Sequence, residues 1–278
     1  MAAIALALGV SFFLGTSDFL GGLQSKSRPV FAVLAVSQLT GLLALIPVIV
    51  FFHPAPSAWP YLGWAVLAGA SSVLGASSLY RGLATGKMSV VAPISATAAI
   101  VPIAVGVLAG ERPSIAQDLG IAIAMVGVVA TARQEESEPG NWGVAPGAGF
   151  AFLAALGGGC FLAAMGAASK GGILWAALTA RLTMLTILVF VGVTFSAVVI
   201  TTRPNRQLAA IGILEVSSWV MFAAATTLGL LAIVGLLASL YPAVTVLLAR
   251  NLLQEQVSTM QLTGLALVVT GLAFITAG

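Results

Sequence analysis

Long stretches of this chain pass without one charged side chain: Val30 to Phe52 is one, Trp142 to Ala168 another. Each is about as long as a helix needs to cross a hydrocarbon core, roughly 20 residues. Inside lipid every backbone N–H and C=O must find a partner within the protein, which leaves helices or closed barrels. A barrel would show short segments alternating apolar and polar residues, and these runs are continuous. The chain therefore reads as an all-α integral membrane protein. Composition agrees: 60% of its 278 residues are hydrophobic and 7% are charged, where a soluble domain carries about a quarter. Mean hydropathy is +1.12.

Breaks between runs fall where Gly, Pro and charge gather. They divide the chain into ten expected membrane helices: about Ala3–Leu23, Val30–Phe52, Trp59–Ala84, Met88–Ala109, Ile115–Ala132, Trp142–Ala168, Ile173–Ile200, Gln207–Leu228, Leu231–Leu253 and Ser258–Ala277. The most polar stretch, from Arg133 through three glutamates to Pro139-Gly140, cannot sit in hydrocarbon. Residues 133–141 are expected to link a first five-helix unit, 1–132, to a second, 142–278. The first run lacks a basic leader and a clear small-x-small cleavage site, so a cleaved signal peptide is not expected.

The two units share a pattern. Glu111, Ser114, Gln117, Gly120 and Gly127 recur at one fixed offset as Glu255, Ser258, Gln261, Gly264 and Gly271, and Ser95 and Ser239 keep that offset. Ser27-Arg28 matches Ser169-Lys170 at nearly the same one. Glu and Gln are scarce in this chain, so composition does not explain the coincidence. A repeat of five helices has an odd number of crossings, so its second copy enters from the opposite side. Inverted repeats of this kind build alternating-access transporters, with the substrate site near the midplane between the halves.

Three segments of the first half carry a further signal: Leu79-Tyr80-Arg81-Gly82-Leu83-Ala84-Thr85-Gly86, Val90-Val91-Ala92-Pro93 and Gly110-Glu111-Arg112-Pro113-Ser114. Ser239-Leu240-Tyr241-Pro242-Ala243-Val244-Thr245, followed by Glu255, is their partner in the second half. In order and double occurrence these resemble the EamA branch of the drug/metabolite transporter superfamily, over nearly the whole chain. Within it the chain is similar to YddG-type amino acid exporters. One departure is Gln254-Glu255-Gln256-Val257, where the family commonly has Gly-Glu-Arg. The resemblance implies a ten-helix exporter of amino acids or other metabolites, with cytoplasmic termini and a cavity lined by the first, third, fourth, sixth, eighth and ninth helices.

Ionisable groups at membrane depth cost about 2.5–3.5 kcal/mol each on insertion scales and so need a reason. Asp18, after Thr16 and Ser17, is either a proton or substrate-amine site facing a cavity or a carboxylate wetted near its helix end. Arg181 and Glu215 sit about two turns inside the seventh and eighth helices, where either a mutual ion pair or a transport role would account for them. Glu111 and Glu255 precede the fifth and tenth helices, where an acid caps free N–H groups. Tyr80 and Tyr241 belong to the repeat segments expected at the centre. Trp219 follows Ser217-Ser218, hydroxyls and a ring that suit one pocket for an apolar or aromatic amino acid. Ser78, Ser95 and Ser239 complete the candidate lining. Pro93, Pro102 and Pro242 fall inside the fourth and ninth helices as candidate pivots. Gly157-Gly158-Gly159 and similar clusters permit close helix approach.

Other functions fit poorly. There is no phosphate-cradling G-x-x-x-x-G-K-[ST] run. His53 and Cys160, each the sole residue of its type, cannot build a metal cluster or a nucleophile–base pair in the interior. Neither an enzyme nor a metal or other cofactor is expected. The formal charge of +3 forms no basic stripe for nucleic acid. The expected partners are a small-molecule substrate and the bilayer, with a monomer as the working unit in an inner membrane. A passive channel is one alternative; a scaffold or sensor would need a soluble domain, and no loop is long enough to hold one. Two signals disagree on orientation. Lys26, Arg28, Arg81, Lys87, Arg133, Arg203, Arg206 and Arg250 lie at odd-numbered connections, against Arg112 and Lys170 at even ones. The positive-inside rule then puts both termini outside, opposite to the resemblance.

Overall fold

A computed structural model describes residues 1–52, 54–55, 57–86, 88–132, 147–195, 206–238 and 240–253, together with 259–260, 263–264, 266–267, 270–271 and 274. Among the described residues there are helices and short turns and no strand. We label α1 Ala2–Ser25, α2 Val30–Phe52, α3 Trp59–Thr85, α4 Met88–Ser95, α5 Ile100–Leu108, α6 Ile115–Ala132, α7 Ala148–Ser169, α8 Ile173–Phe195, α9 Arg206–Leu228, α10 Leu231–Ala238 and α11 Tyr241–Leu253. A 3-10 segment, Ala96–Ala99, joins α4 to α5. Seven spans among the described residues are long and apolar enough to cross a membrane. Phe12, Phe51, Phe152 and Phe190 are exposed on the outer surface, which is affordable where lipid is the solvent. The chain is a multi-pass membrane protein.

The helices pack crosswise between the two halves of the chain. α3 lies along α7 and α1 along α9; α2 then covers α9, and α8 covers α3. Small residues set these distances. A Cβ on Gly157 would stand 2.8 Å from the Gly75 Cα, and one on Gly212 would stand 2.8 Å from the Gly41 nitrogen. Both pairs bring backbone onto backbone, which supplies van der Waals contact where lipid gives no hydrophobic drive. Hydroxyls add interhelical bonds: Ser17 Oγ donates to the Ile211 carbonyl at 3.1 Å, joining α1 to α9.

Two expected helices are interrupted. The fourth, Met88–Ala109, is divided into α4, the 3-10 segment and α5; the ninth, Leu231–Leu253, is divided into α10 and α11. Pro93 falls in α4 just before the first break. Pro242 is the second residue of α11, not an interior one as expected, and there a missing N–H costs nothing because first-turn donors have no helical acceptor anyway. Pro102 lies in the first turn of α5 and packs toward bare Gly235 of α10. Freed carbonyls at the second break are taken up by α1: Ser11 Oγ donates to Leu237 O, and it reaches Ala238 O at 3.2 Å. Thr245 Oγ1 donates to Gly15 O at 3.0 Å from the far side.

Glu111 reaches beyond the helix that follows it. α6 is closed by its own box, in which Gln117 N–H donates to Ser114 Oγ at 3.2 Å and Ser114 N–H to Gln117 Oε1 at 2.9 Å, the reciprocal cap of a Ser-x-x-Gln start. The Glu111 carboxylate instead accepts the Leu231 N–H at 2.9 Å, at the first residue of α10 in the other half. We expect Glu111→Ala to lower stability by about 1 kcal/mol, the usual cost of losing an N-terminal cap. Thermal unfolding in detergent measures this, and an unchanged midpoint would refute the cap. Its repeat partner Glu255, Ser239, the expected linker 133–141 and most of the expected tenth helix lie outside the described residues.

Candidate functional site

The interruptions of α4–α5 and α10–α11 lie at Ser95–Ala99 and Leu240, corresponding places in the two halves by the fixed offset that relates Ser95 to Ser239. A cavity lies beside both interruptions. It holds about 80 Å³. One water needs roughly 10–15 Å³ on such a measure, so the space takes several waters or one small organic molecule.

Six parts of the fold contribute its walls. α1 supplies Leu14 and Asp18, and α3 supplies Ser72, Gly75, Ala76, Leu79 and Tyr80. The 3-10 segment gives Ala98, and α7 gives Ala154, Gly158, Phe161 and Leu162. α9 adds Glu215 and Trp219, and α11 adds Tyr241. These are the six helices that the resemblance named. Phe161 and Trp219 meet with ring centroids 4.8 Å apart, a tilted aromatic pair. Tyr80 and Tyr241 are both almost fully buried; Tyr80 meets the Ser17 hydroxyl and Tyr241 that of Ser95.

Two carboxylates face this apolar box, and their surroundings differ. Glu215 accepts from Gln38 Nε2 at 2.7 Å and lies 3.9 Å from Arg181 Nη2. Arg181 is fully buried. Its guanidinium lies 4.6 Å from the Trp219 ring centre, a cation–π contact, and its Nη1 donates to the Gln38 carbonyl at 3.4 Å. Gly41 makes room for it, since a Cβ there would stand 2.8 Å from Arg181 Cζ. Arg181 Nε and Gln38 Oε1 have no hydrogen-bond partner among the described residues. Arg181 thus sits behind Glu215 and Trp219, outside the cavity wall. Asp18 is 7% exposed, close enough to Glu215 for the two charges to interact. Among the described residues no cation or hydrogen-bond donor meets its carboxylate.

Of the residues singled out from sequence, Asp18, Tyr80, Trp219 and Tyr241 line the cavity. Ser17 and Ser95 stand one layer behind, against the two tyrosines. Thr16 and Ser217 turn their hydroxyls back onto their own helices, to Phe12 O at 2.7 Å and Ile213 O at 2.8 Å. Ser78 is buried but is not part of the wall. Gln38 escaped notice because an amide in an apolar helix carries no charge and belongs to no repeat. Ser72 and Phe161 were missed because their facing follows from the α3–α7 packing, which sequence does not give.

Comparison with known proteins adds three findings. Residues 1–133 match the family described as EamA-like transporter family. An uncharacterized protein of Methanocaldococcus jannaschii is 27% identical over 128 residues, covering 46% of this chain and 93% of its own. A solved structure titled "Crystal structure of protein" superposes with a TM-score of 0.70 at 18% identity, covering 97% of this chain and 95% of its own. That likeness is one of fold.

Proposed function

We propose that the chain exports small metabolites by alternating access between two inverted five-helix repeats, since residues 1–133 match the EamA-like transporter family, whose members are transporters and not enzymes. On this reading it has ten membrane helices, joined by the polar linker at 133–141, and works in a prokaryotic inner membrane. The observation that carries it is the cavity where the interrupted helices of the two halves meet. A midplane site between repeats is what rocking one half against the other exposes to each side in turn. The crosswise packing of α3 on α7 and α1 on α9 supports the same reading, because halves related by a two-fold axis exchange equivalent contacts.

For the substrate, the sequence resemblance favours amino acids, aromatic ones or threonine among them. The buried acids of the cavity favour a second class, amine-bearing metabolites or drugs. The test is flux into proteoliposomes made with the purified chain, using radiolabelled amino acids and amines with and without a proton gradient. We expect saturable uptake that speeds up when the lumen is preloaded with the same compound. Flux that rises linearly with concentration, without exchange, would identify a passive pore and overturn the proposal.

A further inference from the structure

We propose that the cavity selects a small alkylammonium ion lacking a carboxylate, with Asp18 as its counter-ion. This rests on the transporter reading and narrows its substrate. Among the described residues two carboxyl groups and one guanidinium occupy this part of the interior, so pairing Arg181 with Glu215 leaves one carboxyl group over. That group is Asp18, which lines the cavity, is more than nine-tenths buried and meets no cation among the described residues. A buried carboxyl group without a partner stays neutral unless a cation stabilises its charged form, and a ligand cation is the partner this geometry lacks. Tyr80, Trp219 and Tyr241 surround the position with aromatic surface, which attracts an ammonium group further.

The same arrangement disfavours a zwitterion. A free amino acid brings a carboxylate that would lie beside Asp18 and Glu215. Among the described residues the one buried cation able to receive it, Arg181, is held behind Glu215 and Trp219. Like charges brought together out of water repel strongly. Volume limits the ligand as well: about 80 Å³ is roughly half of an apolar void known to admit benzene, about 150 Å³. A branched four-carbon amine suits that space better than an indole.

Three probes with one carbon skeleton separate the terms: isobutylamine (a cation), valine (the zwitterion) and isobutanol (neutral). Each is titrated by calorimetry against the purified full chain in lipid nanodiscs. The same three compounds, with a broad metabolite panel, compete for flux in proteoliposomes. We expect isobutylamine to bind at least tenfold more tightly than valine or isobutanol. Asp18→Asn should abolish its binding, and Asp18→Glu should keep it within about tenfold. Thermal unfolding of both variants shows whether each is folded.

Valine binding as tightly as isobutylamine would overturn the inference and leave the transporter reading standing. So would amine binding that is indifferent to Asp18→Asn in folded protein, which would return Asp18 to a proton-carrying or wetted role. If none of the three binds while another compound of the panel shows saturable flux, the substrate class is wrong and the transporter reading holds. If nothing in the panel is transported by folded protein, the transporter reading fails with it.

Discussion

Replacing Glu215 with alanine should cost about 3–5 kcal/mol of stability, the loss seen when one partner of a buried ion pair is removed and the other stays charged in the interior. Total stabilities of folded proteins are about 5–15 kcal/mol, so little folded Glu215→Ala protein is expected. The cost lies with Arg181. Its guanidinium is fully buried, and among the described residues its Nε has no hydrogen-bond partner and without Glu215 it keeps only the Gln38 carbonyl and the Trp219 ring. Glu215→Gln fills the same space and still offers Gln38 an acceptor, so comparing it with the alanine variant separates charge from shape. Joint replacement by Arg181→Met and Glu215→Leu should recover most of the stability, since apolar residues of similar volume often equal a buried pair or exceed it. The readout is a double-mutant cycle in thermal unfolding. A Glu215→Gln protein as stable as the parent would show that the 3.9 Å contact does nothing to hold the fold. The recovered double variant is also expected to lose ligand binding, because Glu215 forms part of the cavity wall.

How much of this was legible in the sequence depended on the scale of the feature. Helices were legible because lipid imposes one rule on every residue of a span: no charge and no unsatisfied backbone. That rule fixed α2 as Val30–Phe52 to the residue. It gives no signal where a helix breaks without a charge, so Met88–Ala109 and Leu231–Leu253 read as continuous. The proline positions hinted at these breaks, but Pro47 sits inside unbroken α2, so a proline alone does not decide. Charged site residues were legible as costly exceptions, hence Asp18, Arg181 and Glu215. Neutral polar residues were not. Among Ser17, Ser78, Ser95 and Ser217, which hydroxyl reaches the centre depends on helix rotation, and an apolar chain with lipid on one side and protein on the other shows little of its facing. The reach of Glu111 was not legible for a related reason. A cap is normally sought within its own helix, and here the acceptor crosses to α10 in the other half.

Gly157, Gly158 and Gly159 are consecutive on α7 and identical in sequence, yet substitutions at 157 and 158 should act in different ways. Successive helical residues point about 100° apart, so the three face different neighbours. A Cβ on Gly157 would stand 2.8 Å from Gly75 Cα and 2.9 Å from Ser71 O on α3; one on Gly159 would stand 2.7 Å from Ala98 O and 2.8 Å from Val101 Cβ. Backbone cannot yield as a flexible side-chain tip can, so Gly157→Ala has to push α3 and α7 apart. Overpacking of this kind costs about 1–3 kcal/mol. Valine at 157 adds two methyl groups against the same backbone and should prevent the α3–α7 contact from forming. Gly158 faces the cavity, and a Cβ there meets nothing closer than Ala98 Cβ at 3.7 Å. Gly158→Ala should therefore fold normally, with a possible gain near 0.5–1 kcal/mol from the helix preference of alanine over glycine, while taking space from the ligand. Gly63→Ala, in open surroundings on α3, isolates the helix-preference effect alone. Unfolding temperature should thus fall for Gly157→Ala and hold for Gly158→Ala and Gly63→Ala, while ligand affinity drops for Gly158→Ala and not for Gly63→Ala. Equal unfolding temperatures for the 157 and 158 variants would mean that α3 and α7 do not approach as closely as described. The cavity wall they share would then have to be redrawn.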